Sequence, residues 1–567
     1  MDLNIGILRP ENENQTKTVV IECVLLNNYR ALFLNVNQGG FVKTIVLLSI
    51  LSLMPSQLFA KSFVYCSEGS PSSFNPQLVT DGTSITASSA NLYNRLVEFG
   101  PGSTKLIPGL AESWTISKDK KTYVFKLRPG VKFHSTKYFT PTRDFNASDV
   151  IFSVERQRSK THPFHNVSGG KYEYFDGMEM GATIADIKAL DPMKVQITLA
   201  QPDATFLANM AMSFMSILSA EYGDKLAQSG KKEDMDKFPI GTGAYMFISY
   251  QKDSAIRYEE NKNFWGKKGN VDKLIFAITP DANVRTQKLK TGECQFATEP
   301  SHADIEEMKK NSKLTVMDDS GLNIGFLAMN VTKKPFDNVL VRQAISHALD
   351  KKTYIAAIYM NNATVAKNLI PPTIWSYNNS VKDYDYNIAT AKELLKKAGY
   401  PNGFESEIWT LPVARPYNPN GKKMGELMQA DLAKIGIKVK LVSFDWPTYL
   451  EKSKSGQHSM IQFGWTGDNG DPDNFFAVLL GCASVKAGSN YPRWCDEKFN
   501  KLILDAKTTT DVAARTKLYM QAQVIAHQQA PVVNIAHSRT FKAMAKNVKG
   551  YKLDPLGQDY LTNIVVE

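Results

Sequence analysis

Between residues 407 and 480 the chain alternates strand-like apolar runs with amphipathic ones, an order that restricts it to folds wound around a largely parallel sheet. Glu407-Ile408-Trp409-Thr410-Leu411 reads as a strand and 412–421 as a loop rich in Pro and Asn. A helix over 424–434 follows, with Met424, Leu427, Met428 and Leu432 on one face and Gly436 closing it. Ile437-Lys438-Val439-Lys440-Leu441-Val442 alternates like a second strand, 446–454 is a second crossover, and Ser459-Met460-Ile461-Gln462-Phe463 is apolar enough for a buried strand. Right-handed crossovers then place the loops after these strands on one sheet edge, where α/β proteins take their ligands.

Two of those loops carry charge. Gly464-Trp465-Thr466-Gly467-Asp468-Asn469-Gly470-Asp471-Pro472-Asp473-Asn474-Phe475-Phe476 follows the third strand and leads into a helix, so its acids are candidates for a cationic group. A calcium loop needs ligands at alternate positions, a sixth glycine and a twelfth glutamate, and the spacing here is wrong. Asp471 or Asp473 capping a helix at Asn474 is the plainer role for those two acids. Asp468 is left free for a ligand. Arg415, in the loop after the first strand, faces the same edge, a surface ion pair being its plainer alternative.

These two loops, with Arg415-Pro416-Tyr417-Asn418-Pro419-Asn420 read as a unit, resemble the periplasmic dipeptide-binding proteins of bacterial ABC importers, family 5 of the extracellular solute-binding proteins. The similarity runs over 61–567 and includes Leu92-Tyr93-Asn94-Arg95-Leu96-Val97-Glu98-Phe99, Pro239-Ile240-Gly241-Thr242-Gly243 and Val341-Arg342-Gln343-Ala344. The resemblance implies an α/β, two-lobed periplasmic-binding-protein fold, class II-like with an extra inserted subdomain, its lobes joined by a two-strand hinge. Lobe I would comprise 61–322 and 536–567, with the inserted subdomain at about 95–240, and lobe II 323–535. It also implies that Asp468 holds a peptide ammonium and Arg415 a peptide carboxylate. Trp465, Gly464 and Tyr417 would be pocket walls, with core packing as the alternative for the aromatic pair. Thr80, Asp81 and Gly82 would meet the peptide from the opposite lobe, Asp81 standing where a small hydroxyl residue is expected.

Those roles agree with physical expectation. A free dipeptide is a zwitterion, so two opposite charges at a fixed separation measure its backbone without reading its side chains. Arginine suits the carboxylate because its planar fork donates two parallel hydrogen bonds. Haem, glutathione or a longer peptide are alternative ligands on the same scaffold, and a secreted peptidase is the alternative of another class. The implied partner is an inner-membrane ABC permease, the receptor itself being a monomer without cofactor or metal.

Export fits the first 60 residues. The apolar stretch 44–53, bounded by Lys43 and Pro55 and followed by Leu58-Phe59-Ala60, has the form of a cleaved signal peptide and is too short to span a bilayer. Residues 1–41 precede its basic region, so translation is expected to start at Val42. No Cys follows the apolar run closely, which argues against a lipoprotein. Downstream lie Cys66, Cys294, Cys482 and Cys495, an even number that suits an oxidising periplasm and allows three pairings. Cys482 with Cys495 is the local choice, and the resemblance implies that pair together with Cys66–Cys294.

At 567 residues the chain exceeds one core, and its 43% apolar content supports a large globular fold of several lobes. Its net charge of +11 is dispersed, as in Lys118-Asp119-Lys120-Lys121, rather than gathered into a stripe, which disfavours nucleic acid. None of the eight histidines falls in a zinc-protease pattern, and no phosphate-binding Gly-x-x-x-x-Gly-Lys loop occurs, so transport energy must come from another chain. Helices are expected over 146–156 and 513–527, and Asp337 is the expected cap of one carrying Val341, Ala344, Ile345 and Ala348.

Overall fold

The structure is a computed structural model that describes residues 3–7, 18–25, 28–35 and 61–567 except 488. Strands Leu3–Ile7, Thr18–Leu25 and Asn28–Asn35 form an antiparallel sheet in a unit of their own. The expected signal segment at 42–60 and the start at Val42 lie outside the described residues.

Residues 61–567 are organised by one long strand, Val532–Ala545. Its first part pairs antiparallel with Asn323–Met329, with Ala328 opposite Val532 and Gly325 opposite Ala536. Its second part pairs with Leu314–Ser320, from Ser320 opposite Arg539 to Leu314 opposite Ala545, and with Phe296–Thr298. Ser62–Ser67 lies parallel to Phe296–Thr298 and to Lys273–Ile278, and Ala255–Glu260 and Tyr245–Gln251 extend that side antiparallel. On the other side Asn323–Met329 pairs with Met460–Thr466, which is followed by Glu405–Trp409 and Lys438–Val442 in parallel.

The direction of each strand follows from these pairings. Ser62–Ser67 and Phe296–Thr298 run toward the middle of the long strand from one side, while Glu405–Trp409 and Met460–Thr466 run toward it from the other. The carboxyl ends of both parallel sets therefore converge on one cleft. Ala111–Ile116, Thr122–Leu127, Lys194–Leu199 and Ile184–Asp191 form, in that order, a separate antiparallel sheet.

Local sequence explains the crossovers. Asn420 accepts the backbone N–H of Lys423 and starts the helix Gly421–Ala433, and Asp445 does the same through Thr448 for Trp446–Lys454. Met424, Met428 and Leu432 are buried against Ile408, Ile437, Val439 and Met460, each such side chain contributing about 1.5–3 kcal/mol when removed from water. Helices Ala147–Arg158 and Val512–Gln529 cover the segments expected from periodicity. The cap expected at Asp337 is instead Asn338, whose side chain accepts from Leu340 N at the start of Val339–Ala348, because the backbone is still extended there. The four cysteines pair Cys66 with Cys294 and Cys482 with Cys495. Among the described residues no helix is long and apolar enough to cross a membrane.

Candidate functional site

Arg415 sits in a tight turn in which its backbone and that of Asn418 exchange hydrogen bonds of 3.1 and 3.0 Å. The turn aims the guanidinium across the cleft. Its Nη1 donates to Glu68 Oε1 at 2.5 Å, its Nη2 donates to Thr83 Oγ1 at 2.7 Å, and the group lies 4.6 Å from the ring centre of Trp446. The Thr83 hydroxyl in turn donates to Glu68. Burial alone would raise the Glu68 carboxyl, but the Arg415 charge and the Thr83 hydroxyl outweigh it and hold the group at about 2. The ion pair is thus buried and spans the cleft, unlike the surface pair that was the alternative for Arg415.

Asp468 follows the strand Met460–Thr466 and is 7% exposed. Asn474 Oδ1 accepts both the Asp468 backbone N–H at 2.8 Å and the Trp465 indole N–H at 3.0 Å, which folds the loop back on the strand it leaves. Tyr174 donates its hydroxyl to Asp468 Oδ2 at 2.6 Å. No cation approaches the carboxylate among the described residues, and burial pushes it up to about 7. Of the two acids expected to cap the next helix, Asp471 accepts the N–H of Asp473 and also takes the Arg515 guanidinium in two bonds of 2.9 Å. Asp473 is buried and opens the helix Asp473–Leu480, one residue ahead of the expected Asn474.

Arg415, Tyr417, Gly464, Trp465, Asp468, Thr80, Asp81 and Gly82 all line one cavity of about 80 Å³. Thr80 donates to Glu173 at 3.0 Å, and Asp81 caps the short helix Gly82–Ala87 through Ser84 N while meeting the Trp446 indole at 3.4 Å. The Tyr417 ring packs against Gly464, where a Cβ would stand 2.1 Å from it and 2.5 Å from the Ile324 carbonyl oxygen, so only glycine fits. The cavity holds opposite charges, Arg415 at one wall and Asp468 at another, with Trp446, Trp465 and Tyr491 among its aromatic walls. A wider groove of about 740 Å³ adjoins it, and Arg415 and Glu299 line both.

Sequence reasoning missed Glu68, Trp446 and Tyr174. Glu68 directly follows the strand Ser62–Ser67, so the carboxyl-end argument that singled out Asp468 applies to it equally. Tyr174 lies in the short helix Glu173–Gly177, far from any strand end, and nothing local marks it.

Comparison with known proteins bears on this geometry. Residues 105–487 match the family described as bacterial extracellular solute-binding proteins, family 5 Middle. The chain belongs to family 5. It is 52% identical over 508 residues to the dipeptide-binding protein of Escherichia coli K12, an alignment covering 90% of this chain and 95% of that one. It is 48% identical over 506 residues to heme-binding protein A of Haemophilus influenzae, with 89% and 92% covered. Among family 5 structures, the dipeptide-binding protein of Pseudoalteromonas sp. SM9913 in complex with Met-Leu superposes with a TM-score of 0.88 at 38% identity, covering 89% of this chain and all of that one. An ABC transporter-associated periplasmic binding protein from Helicobacter pylori in complex with the peptide STSA gives 0.86 at 39%, covering 90% and 99%. The chain has the two-lobed α/β fold of family 5.

Proposed function

We propose that this protein is a periplasmic receptor that captures dipeptides by their charged termini and hands them to an inner-membrane ABC permease. The observation that carries the reading is that a buried carboxylate and a buried guanidinium, from loops after different strands, line one cavity. Asp468 takes the ammonium and Arg415 the carboxylate, with Thr80, Asp81 and Gly82 closing from the other lobe and Trp465, Tyr417 and Gly464 shaping the walls. Lobe I is 61–322 with 536–567 and an inserted subdomain at about 95–240, and lobe II is 323–535. The two crossings, at the turn between Leu314–Ser320 and Asn323–Met329 and within Val532–Ala545, are the hinge. Their shared position beside the cleft supports that division. The receptor acts as a monomer, exported by a cleaved leader, and turns nothing over.

The STSA complex of the H. pylori relative raises a longer-peptide reading, and the adjoining groove gives it room, but Arg415 stands where a third residue would pass. Haem, suggested by the H. influenzae relative, needs a broad apolar slot and partners for two propionates, whereas this cavity is narrow and rich in carboxylates. Calorimetric titration with Ala-Ala, Ala-Ala-Ala and N-acetyl-Ala-Ala tests the reading. Strong heat is expected for Ala-Ala and little for the acetylated peptide, and equal binding of all three would defeat it. A product assay on Ala-Ala should show no free alanine.

A further inference from the structure

The cavity is unbalanced in charge. Glu68, Asp81, Glu299, Asp468 and Asp559 line it against the cations Arg415 and Lys542. A dipeptide backbone brings one charge of each sign, so binding it leaves the excess of carboxylates in place.

Glu299 is one of the carboxylates in that excess. Lys542, itself 2% exposed, donates to Thr298 Oγ1 at 2.7 Å and to Glu299 Oε1 and Asp559 Oδ2, both at 3.1 Å. Asp559 is further satisfied by the hydroxyls of Tyr65 and Tyr551, each at 2.6 Å. Glu299 has no such help: it is 8% exposed, and among the described residues no hydrogen bond reaches its Oε2. It is held there firmly. Its backbone has φ of +43°, sparsely populated for a residue with a Cβ, and the buried Arg285 guanidinium fixes the segment by donating to the carbonyls of Thr298 and Glu299 at 2.9 and 2.7 Å. Burial raises the Glu299 carboxyl even with the Lys542 ammonium beside it, and the Glu68 and Asp559 charges add to the rise.

Glu299 shares with Arg415 the wall between the smaller cavity and the wider groove. On the reading proposed above, on which this inference rests, Arg415 marks the carboxylate end, so the side chain nearest that wall belongs to the second residue. We propose that Glu299 is a specificity-determining residue that selects dipeptides carrying a cationic side chain at the second position, with Oε2 accepting from its ammonium or guanidinium.

Calorimetric titration of the whole protein with Ala-Ala, Ala-Lys, Ala-Glu and Ala-norleucine tests this. Ala-Lys should bind about tenfold more tightly than Ala-Glu and than Ala-norleucine, the size of one partly desolvated charge pair, and Glu299→Gln should bring both ratios toward one. Equal affinities in the wild type, or ratios that survive Glu299→Gln, would overturn it. The wild-type comparison with Ala-norleucine isolates the ammonium and stands even if the variant fails to fold. Heat with Ala-Ala but no preference for Ala-Lys sinks this inference alone, whereas no heat with Ala-Ala sinks the dipeptide reading beneath it.

Discussion

Arg415 and Glu68 are separated by 347 residues and meet at 2.5 Å, forming a buried ion pair between two sets of strand ends. The arginine is held in one orientation by Glu68 and Thr83 and lies over the ring of Trp446. On the proposed reading, a ligand carboxylate would meet a guanidinium whose rotamers these contacts restrict, which lowers the entropic cost of binding.

Removing Glu68 would leave a buried guanidinium without its counter-charge. Glu68→Ala should lower the unfolding free energy by about 3–5 kcal/mol, measured by denaturant titration without ligand. A loss below about 1 kcal/mol, the range of an exposed pair, would show that the pair is solvated in solution.

Replacing Arg415 by lysine keeps the charge but loses the fork that reaches two acceptors at once. Arg415→Lys should weaken Ala-Ala binding by about tenfold to a hundredfold. Unchanged affinity would mean that the guanidinium does not touch the ligand.

Asp468 must be ionised to hold an ammonium, yet burial pushes it up to about 7. Binding then expels a proton whenever the group starts protonated. The dissociation constant for Ala-Ala should rise about tenfold for each pH unit below 7 and be lowest between 7 and about 8, above which the ligand loses its own ammonium charge. Flat affinity from pH 5.5 to 7 would contradict this assignment.

The Cys482–Cys495 bond closes a short loop just after the Asp468 segment. Its removal in the double serine variant should cost about 3 kcal/mol of stability by loop entropy. Ala-Ala affinity should survive at temperatures where the variant is folded, because neither cysteine lines the cavity. Lost binding in a folded variant would tie the loop to the site.

The lobe carrying Asp468 and Arg415 was legible because its parallel strands are bounded by Pro, Gly and Asn signals and its helices keep one apolar face, as Met424, Met428 and Leu432 do. The other wall of the cavity was not. Lys542 sits inside the long strand Val532–Ala545, where a lone lysine reads as a solvated residue. Its burial depends on Glu299 and Asp559, which lie far away in sequence and are brought together only by the sheet order. Asp81 reads as a ligand group, yet its carboxylate is engaged by Ser84 N and Ser72 in capping a helix too short to show a period.

The central claim, that Asp468 grips the ligand's ammonium, is tested most directly by a thermodynamic cycle. Wild type and Asp468→Asn are each titrated with Ala-Ala and N-acetyl-Ala-Ala. Acetylation should cost the wild type about 2–5 kcal/mol, roughly thirtyfold to several thousandfold, and cost the variant almost nothing, because the partner is already gone. If acetylation weakens binding equally in both proteins, the carboxylate and the ammonium do not meet.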